Sequence, residues 1–367
     1  MNTNRAELVV ADDLRMICQA ASEQIRRLEG DSVLITGGGG FLGHYLVQAL
    51  LEWNRTQAAE PIRVRVADNW MRGEPAWMNA RRDDEHLEVL TLDITEPLAD
   101  DFSIGNWVIH AASIASPIFY REHPIETMDA NVNGLRGLLD RACADDANEL
   151  RGMLFFSSSE VYGDPTPEAI PTSEDYTGRV SFTGPRACYD ESKRYGETLC
   201  VNFARQRGVP VSSARPFNNY GPGLALTDRR VIPDFASDIL AGRDITLLSS
   251  GAPTRTFCYV ADAIVGYLKV LVDGRRGEAY NIGTETPEIS MRSLAERMVS
   301  VARSEFGYDG AVVTATSDDA DYLVDNPDRR CPDIGKARGE LGYEPQVDID
   351  EGLRRTMVWY ESQEMNR

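Results

Sequence analysis

No apolar run in the sequence approaches the ~20 residues that a membrane-spanning helix needs. The first residues also lack the basic-then-apolar order of a secretion signal. Both absences leave the cytoplasm as the expected compartment and no membrane as a partner. Cysteine is sparse and scattered. Cys18, Cys143, Cys188, Cys200, Cys258 and Cys331 never fall into C-x-x-C spacing, which argues against a disulfide frame or a zinc site. The 4 histidines do not cluster, so no metal centre is expected. Positive charge is short as well: the formal net charge of −20 argues against a nucleic-acid partner. A phosphorylated substrate would therefore need a locally basic pocket. What is present is ordinary for a globular chain. Its 367 residues are 42% hydrophobic and 26% charged, enough for a large core in one large or two closely joined domains.

One stretch organises the rest. Val33 to Ile35 is a short β-branched run that reads as a buried parallel strand. Gly37, Gly40 and Gly43 follow with G-x-x-G-x-x-G spacing, and Tyr45 to Leu51 reads as helix. Glycines there let the chain turn tightly and let backbone N–H groups approach a pyrophosphate at the positive end of the helix. A triphosphate-binding loop is excluded, because no Gly-Lys-Ser/Thr follows. Asp68 closes the next strand-like run, somewhat beyond the usual spacing of about 20 residues from the glycines. A carboxylate there accepts from a ribose 2′-OH and repels a 2′-phosphate, which favours NAD over NADP. Arg72 nearby pulls the other way.

From residue 31 to about 215, strand-like and helix-like runs alternate. That pattern predicts an α/β fold with a doubly wound parallel sheet of the Rossmann type. Leu87 to Leu92 leads into Asp93 and Ile94. Trp107 to His110 leads into the small residues Ala111, Ala112 and Ser113. Thr127 to Arg141 reads as a helix carrying Asn131. Met153 to Phe156 ends in Ser157, Ser158, Ser159 and Glu160. Ligands bind outside the carboxyl ends of such strands. Before the first strand, Leu14, Ile17, Ala21, Ile25 and Leu28 share one helical face, with Asp12 or Asp13 as a cap. That helix packs on its own domain or supports a dimer. After 215, prolines and glycines chop the chain into short elements, apart from a strand edge plus helix at Phe257 to Val272 and a last helix at Asp348 to Tyr360. The expected division is an N-terminal helical extension (1–30), a dinucleotide domain (31–215 with 257–282), and an interleaved, smaller α/β substrate region (216–256 and 283–362).

Tyr189 and Lys193 stand four apart, on one face of a helix. An ammonium beside a phenol favours the phenolate, which makes Tyr189 a candidate base for a substrate hydroxyl, with Ser157 or Ser158 holding the same hydroxyl. The spacing alone also fits an exposed helix pair.

Taken together, Thr36 to Gly43, His110-Ala-Ala, Ser157 to Gly163, Tyr189 to Lys193 and Arg215 to Pro222 resemble the extended short-chain dehydrogenase/reductase family of nucleotide-sugar epimerases, dehydratases and decarboxylases. Ser159 to Pro165, Gly184 to Arg194, Thr254 to Phe257 and Arg330 to Ile334 are most similar to its decarboxylase branch. The resemblance implies NAD as cofactor, a small nucleotide-sugar substrate, a homodimer, and conversion of UDP-glucuronate to UDP-xylose. Oxidation at C4, loss of CO₂ and re-reduction would follow in turn. A UDP-sugar 4-epimerase and a 4,6-dehydratase on the same scaffold are alternatives, as is a non-catalytic NAD-binding regulator.

By the same resemblance, Tyr189, Lys193, Ser158, Ser159 and Glu160 are catalytic. Glu160 would position the sugar or handle protons near C5; a carboxylate paired with a structural arginine is the other reading. The cofactor is expected along Gly37, Gly40, Phe41, Leu42, Gly43, Asp68, Asn69, Arg72, Asp93, Ile94, Ala111, Ala112, Ser113, Asn131, Ser157, Tyr189 and Lys193. Arg255 and Arg330 would grip the substrate diphosphate and Asn218 would meet it through its amide. Tyr120 and Arg186 are candidates for sugar or carboxylate contacts. The chain departs from the family at Phe182-Thr183 and Pro216, at Ser158 where threonine is usual, and in a long segment from Val301 to Asp325.

Overall fold

The structure, a computed structural model, describes residues 3–144, 150–316, 324 and 326–365. Six strands, β1 (Ser32–Thr36), β2 (Arg63–Asp68), β3 (Leu87–Thr91), β4 (Trp107–His110), β5 (Gly152–Phe156) and β6 (Val211–Pro216), join a seventh, Ala279–Ile282, in one sheet. Its order is Ala279–Ile282, β6, β5, β4, β1, β2, β3, and every pairing is parallel. The sequence reverses direction across the sheet between β1 and β4, which opens a crevice at the carboxyl ends of those strands. The alternation within β1 shows why its run is continuously apolar. Val33 and Ile35 enter one core cluster and Leu34 enters another, so both faces are covered by helices.

Two expectations need correction. Thr127 to Arg141 is not one α-helix: Pro124–Asp129 and Leu135–Ala144 are joined by a π-turn at Ala130–Gly134. The strand at the start of Phe257 to Val272 forms as Cys258–Tyr259, but it pairs with Asn219–Tyr220 in a separate ribbon. The main sheet takes Ala279–Ile282 as its outer strand instead. A separate three-stranded sheet joins Ile289–Ser290, Thr254–Arg255 and Arg329–Arg330. Within the long segment Val301 to Asp325, residues 317–323 and 325 lie outside the described residues.

The N-terminal residues form α1 (Thr3–Ala20) and α2 (Ser22–Arg26). Leu14, Ile17, Ala21, Ile25 and Leu28 are all buried. Asp13 is not a cap. It lies within α1, fully buried, and accepts from the hydroxyls of Tyr45 and Tyr259, each at 2.6 Å, and from Arg355 Nη1 at 2.6 Å. A buried carboxylate with three donors is satisfied. It fastens α1 to α3 (Phe41–Thr56) and to the final helix Ile349–Met365. The extension therefore packs on its own chain. Among the described residues, no helix is long and apolar enough to cross a membrane, and no cluster of residues is fit to hold a metal ion.

Candidate active site

A cleft of about 1610 Å³ runs along the carboxyl ends of β1 to β5. At its floor, Gly37 has φ +71°, and a Cβ there would lie 2.6 Å from the backbone of Ala112. A Cβ on Gly43 would lie 2.5 Å from the Gly38 carbonyl oxygen. Only glycine allows this turn to sit so close to its neighbours. The helix α3 that follows begins at Gly40 without a side-chain cap, so its first N–H groups face the cleft, ready for an anion. Asp68 ends β2 beside them and accepts from Gly39 N–H at 3.0 Å and Trp70 N–H at 2.9 Å. Each oxygen keeps a lone pair for a ribose hydroxyl. Asn69 donates to Asp93 at 3.1 Å, further along the same rim. An uncapped helix behind a glycine turn, with an acid at the next strand end, fits a dinucleotide without a 2′-phosphate.

At the other end of the cleft, helix Ala187–Arg207 carries Tyr189 and Lys193 on one face. Lys193 Nζ donates to the Phe156 carbonyl at 2.7 Å and stands 5.6 Å from the centre of the Tyr189 ring. Tyr189 is hydrogen bonded to Ser158, whose Oγ also accepts from Glu160 N–H at 3.2 Å. The phenol ring is held by Tyr120, stacked at 5.0 Å with 13° between planes. The expected lowering of the phenol by the ammonium is not what the site does. Burial pushes Tyr189 up to about 12, and burial pushes Lys193 down to about 7. A dry site disfavours both charges and outweighs their mutual attraction.

Glu160 lies one turn from Ser158, between two guanidiniums. Arg186 reaches its Oε2 at 2.5 Å; Arg330 bonds both oxygens, at 2.8 Å for Oε2. Burial alone would raise its pKa, but Arg186 and then Arg330 outweigh that and hold the carboxyl well below the usual range. Glu160 is thus an acceptor, not a proton donor, near neutral pH. Arg186 also lies over the Tyr120 ring at 5.9 Å, and Tyr120 Oη is buried with no partner among the described residues.

The cleft is lined by all but three of the residues expected from the sequence. Asn131 is behind it. Its amide donates to Ser192 Oγ at 2.9 Å, and Ser192 in turn donates to the Tyr189 carbonyl at 3.0 Å, so it braces the tyrosine's helix. Arg330 stands behind Glu160. Arg255 is spent on main-chain carbonyls, donating to Thr254 O at 2.7 Å and Asp328 O at 3.1 Å, and burial beside Arg330 lowers it to about 9. Ser157 lines the cleft, yet its hydroxyl donates to Glu197. Asn218 lines it with its amide donated to Thr256 O at 2.9 Å. Sequence reasoning missed Arg230, which reaches the cleft between Tyr189 and the Phe41 ring, and its counter-ion Asp228. An arginine in a loop without fixed spacing carries no local signal.

Against known proteins, residues 33–283 match the model of the NAD dependent epimerase/dehydratase family. The chain belongs to that family. Within it, the chain is 37% identical over 321 residues to a UDP-glucuronic acid decarboxylase from Arabidopsis thaliana, covering 88% of this chain and 86% of the relative. It is 36% identical to a UDP-glucuronic acid decarboxylase from Xenopus tropicalis, covering 89% of this chain and 72% of that one. Among solved structures, the dTDP-glucose 4,6-dehydratase DesIV from Streptomyces venezuelae, solved with NAD bound, superposes with a TM-score of 0.77 at 27% identity, covering 91% and 98% of the two chains. Family membership explains why the glycine turn, the serine-rich strand end and the Tyr189 helix meet in one cleft, and it bears out the expected fold.

Proposed function

We propose that this enzyme converts UDP-glucuronate to UDP-xylose with NAD as a cofactor restored in each cycle. The observation that carries the reading is the charge at the Tyr189 end of the cleft. Two guanidiniums, Arg186 and Arg330, meet Glu160, with Asp190 3.9 Å from Arg186 on its other side, and Arg186 lines the cleft beside the proposed base. In a chain of net charge −20, a guanidinium placed there suits a sugar that is itself a carboxylate. The decarboxylase relatives support the same choice.

Bound NAD⁺ would supply the hydride acceptor, and its positive ring would favour a phenolate nearby. Gly37, the start of α3 and Asp68 would hold it, with Lys193 at the nicotinamide end. Ser158 would orient the C4 hydroxyl while Tyr189 takes its proton. The resulting C4 ketone accepts the electrons released as CO₂ leaves C5. Glu160, held ionised, would accept from a sugar hydroxyl and fix the ring. The enolate left by CO₂ would take a proton from solvent at C5, the hydride would return from the reduced cofactor to C4, and Tyr189 would return its proton to the C4 oxygen. The reading carries with it the homodimer that the resemblance implies and the cytoplasmic location expected from the sequence.

Incubation with UDP-glucuronate and NAD⁺ should yield CO₂ and UDP-xylose. UDP-galacturonate instead would make this a 4-epimerase, and NAD binding without turnover would make it a regulator. Tyr189→Phe should lower turnover about 10²–10⁴-fold while NAD still binds; unchanged turnover would remove Tyr189 as the base.

A further inference from the structure

Tyr189, Lys193 and Glu197 follow one another at intervals of four along the helix Ala187–Arg207, so they share one face. Glu197 does not reach the cleft. Its carboxylate takes Arg215 as a fork, with Nε 2.8 Å from Oε1 and Nη2 2.6 Å from Oε2, and both side chains are largely buried. The same Oε1 accepts from the Ser157 hydroxyl. Arg215, on β6, has one nitrogen left. Its Nη1 donates to Tyr162 Oη at 2.6 Å and to the Glu174 carbonyl at 3.1 Å. Tyr162 Oη in turn donates to Asn281 Oδ1 at 2.7 Å, on the outer strand of the sheet.

Ser157 and Tyr162 are the two ends of one short stretch. It leaves β5, passes through Ser158 and closes as a tight turn at Ser159–Tyr162, which carries Glu160. One guanidinium therefore holds both ends, the first through Glu197 and the second directly. A fork on a carboxylate fixes direction as well as distance. Between the two ends lies the Ser158 hydroxyl, hydrogen bonded to Tyr189. Ser157 gives its own proton to Glu197, which leaves Ser158 as the donor beside the phenol. We propose that Glu197 and Arg215 are positioning residues: their ion pair ties the Ser157–Tyr162 stretch to the helix of Tyr189 and keeps the Ser158 hydroxyl in register with the phenol. The proposal rests on the reading of Tyr189 as the base. Neither residue lines the cleft, so each acts through Ser158. A displacement of about 1 Å at a reacting group can cost about 10²-fold in rate.

The test follows turnover of UDP-glucuronate by the full-length enzyme with NAD⁺ as a function of pH. In the wild type the rate should rise with pH as Tyr189 gives up its proton. A bond from Ser158 favours the phenolate, so weakening it moves that rise to higher pH. Lys193, Arg230, Glu160 and Asp190 also act on the phenol, and none of them is altered in the variants. Glu197→Gln should lower kcat about 10-fold or more, keep KM within a factor of about two, and move the midpoint up by about 0.5 pH unit or more. Tyr162→Phe keeps the ring under Arg215 at 4.9 Å and should do the same with a smaller loss, about 3-fold. It carries the test alone should Glu197→Gln fail to fold. In a Ser158→Ala background neither change should cost more than about 2-fold further, because both act through that hydroxyl. A role in stability alone would lower Tm, leave the midpoint where it is, and add in full to the loss from Ser158→Ala. An unmoved midpoint or additive losses would overturn the clamp and leave the function standing. If Tyr189→Phe keeps its turnover, the reading of the base falls and the clamp falls with it.

Discussion

The wall of the cleft that faces the dinucleotide is made of backbone, and the wall opposite is made of charge. On the first, Gly37, Gly43 and the uncapped start of α3 present N–H groups within a few residues of one another. On the second, Glu160, Arg186 and Arg330 come from distant parts of the chain, and the Glu160–Arg330 pair spans 170 positions. Backbone at a glycine turn needs little support, because strand and helix fix its shape. Buried charges need one another, since each would be costly to leave alone in a dry site. The first wall can therefore serve a whole family, while the second can be retuned to one sugar.

Removing charge from the second wall should have the largest effect. Glu160→Gln leaves Arg186 and Arg330 without their shared counter-ion. Turnover of UDP-glucuronate should fall about 100-fold, with NAD affinity within a factor of two. A parallel loss of NAD binding would show that the walls are not independent. Next comes the backbone wall. Gly37→Ala places a Cβ against Ala112 in a left-handed residue, so NAD should bind at least about 10-fold more weakly, a cost of about 1.4 kcal/mol or more, while UDP binding measured without NAD is unchanged. Equal losses of both ligands would mean that the turn supports the whole cleft.

A last test sharpens the comparison through pH. His44 flanks the glycine turn and His110 ends β4; burial lowers both to about 3. An unfolded histidine binds its proton near 6.5, so the unfolded state takes up protons first as pH falls. Stability should therefore be full above about 6.5 and decline toward 3, by up to about 1.4 kcal/mol per pH unit for each histidine. Thermal melts from pH 7 to 5 should show this decline, and His44→Gln should flatten it. An unchanged slope would mean that another group controls acid unfolding of the cofactor wall.

Much of this was legible in local patterns. The strand at Val33 to Ile35, the turn at Gly37 to Gly43, the acid at Asp68 and the Tyr189–Lys193 pair are each short-range features. The π-turn at Ala130 was not, because Asn131 and its neighbours have ordinary helix propensities and the break serves tertiary packing. Nor was the true place of Asp13, Arg255 or Arg330. A charged residue reads as surface in any window, and only its distant partners show that it is buried.

By itself the sequence determined the sheet, the dinucleotide turn and the candidate base, since each depends on neighbours in the chain and on periodicity that short-range sterics enforce. Only the tertiary structure decided the charge state and use of those groups. Burial raised the Tyr189 phenol and neutralising partners ionised Glu160. Asp228 became the counter-ion of two arginines. The reason is that solvation and Coulomb interactions depend on distance in space, which spacing along the chain does not encode.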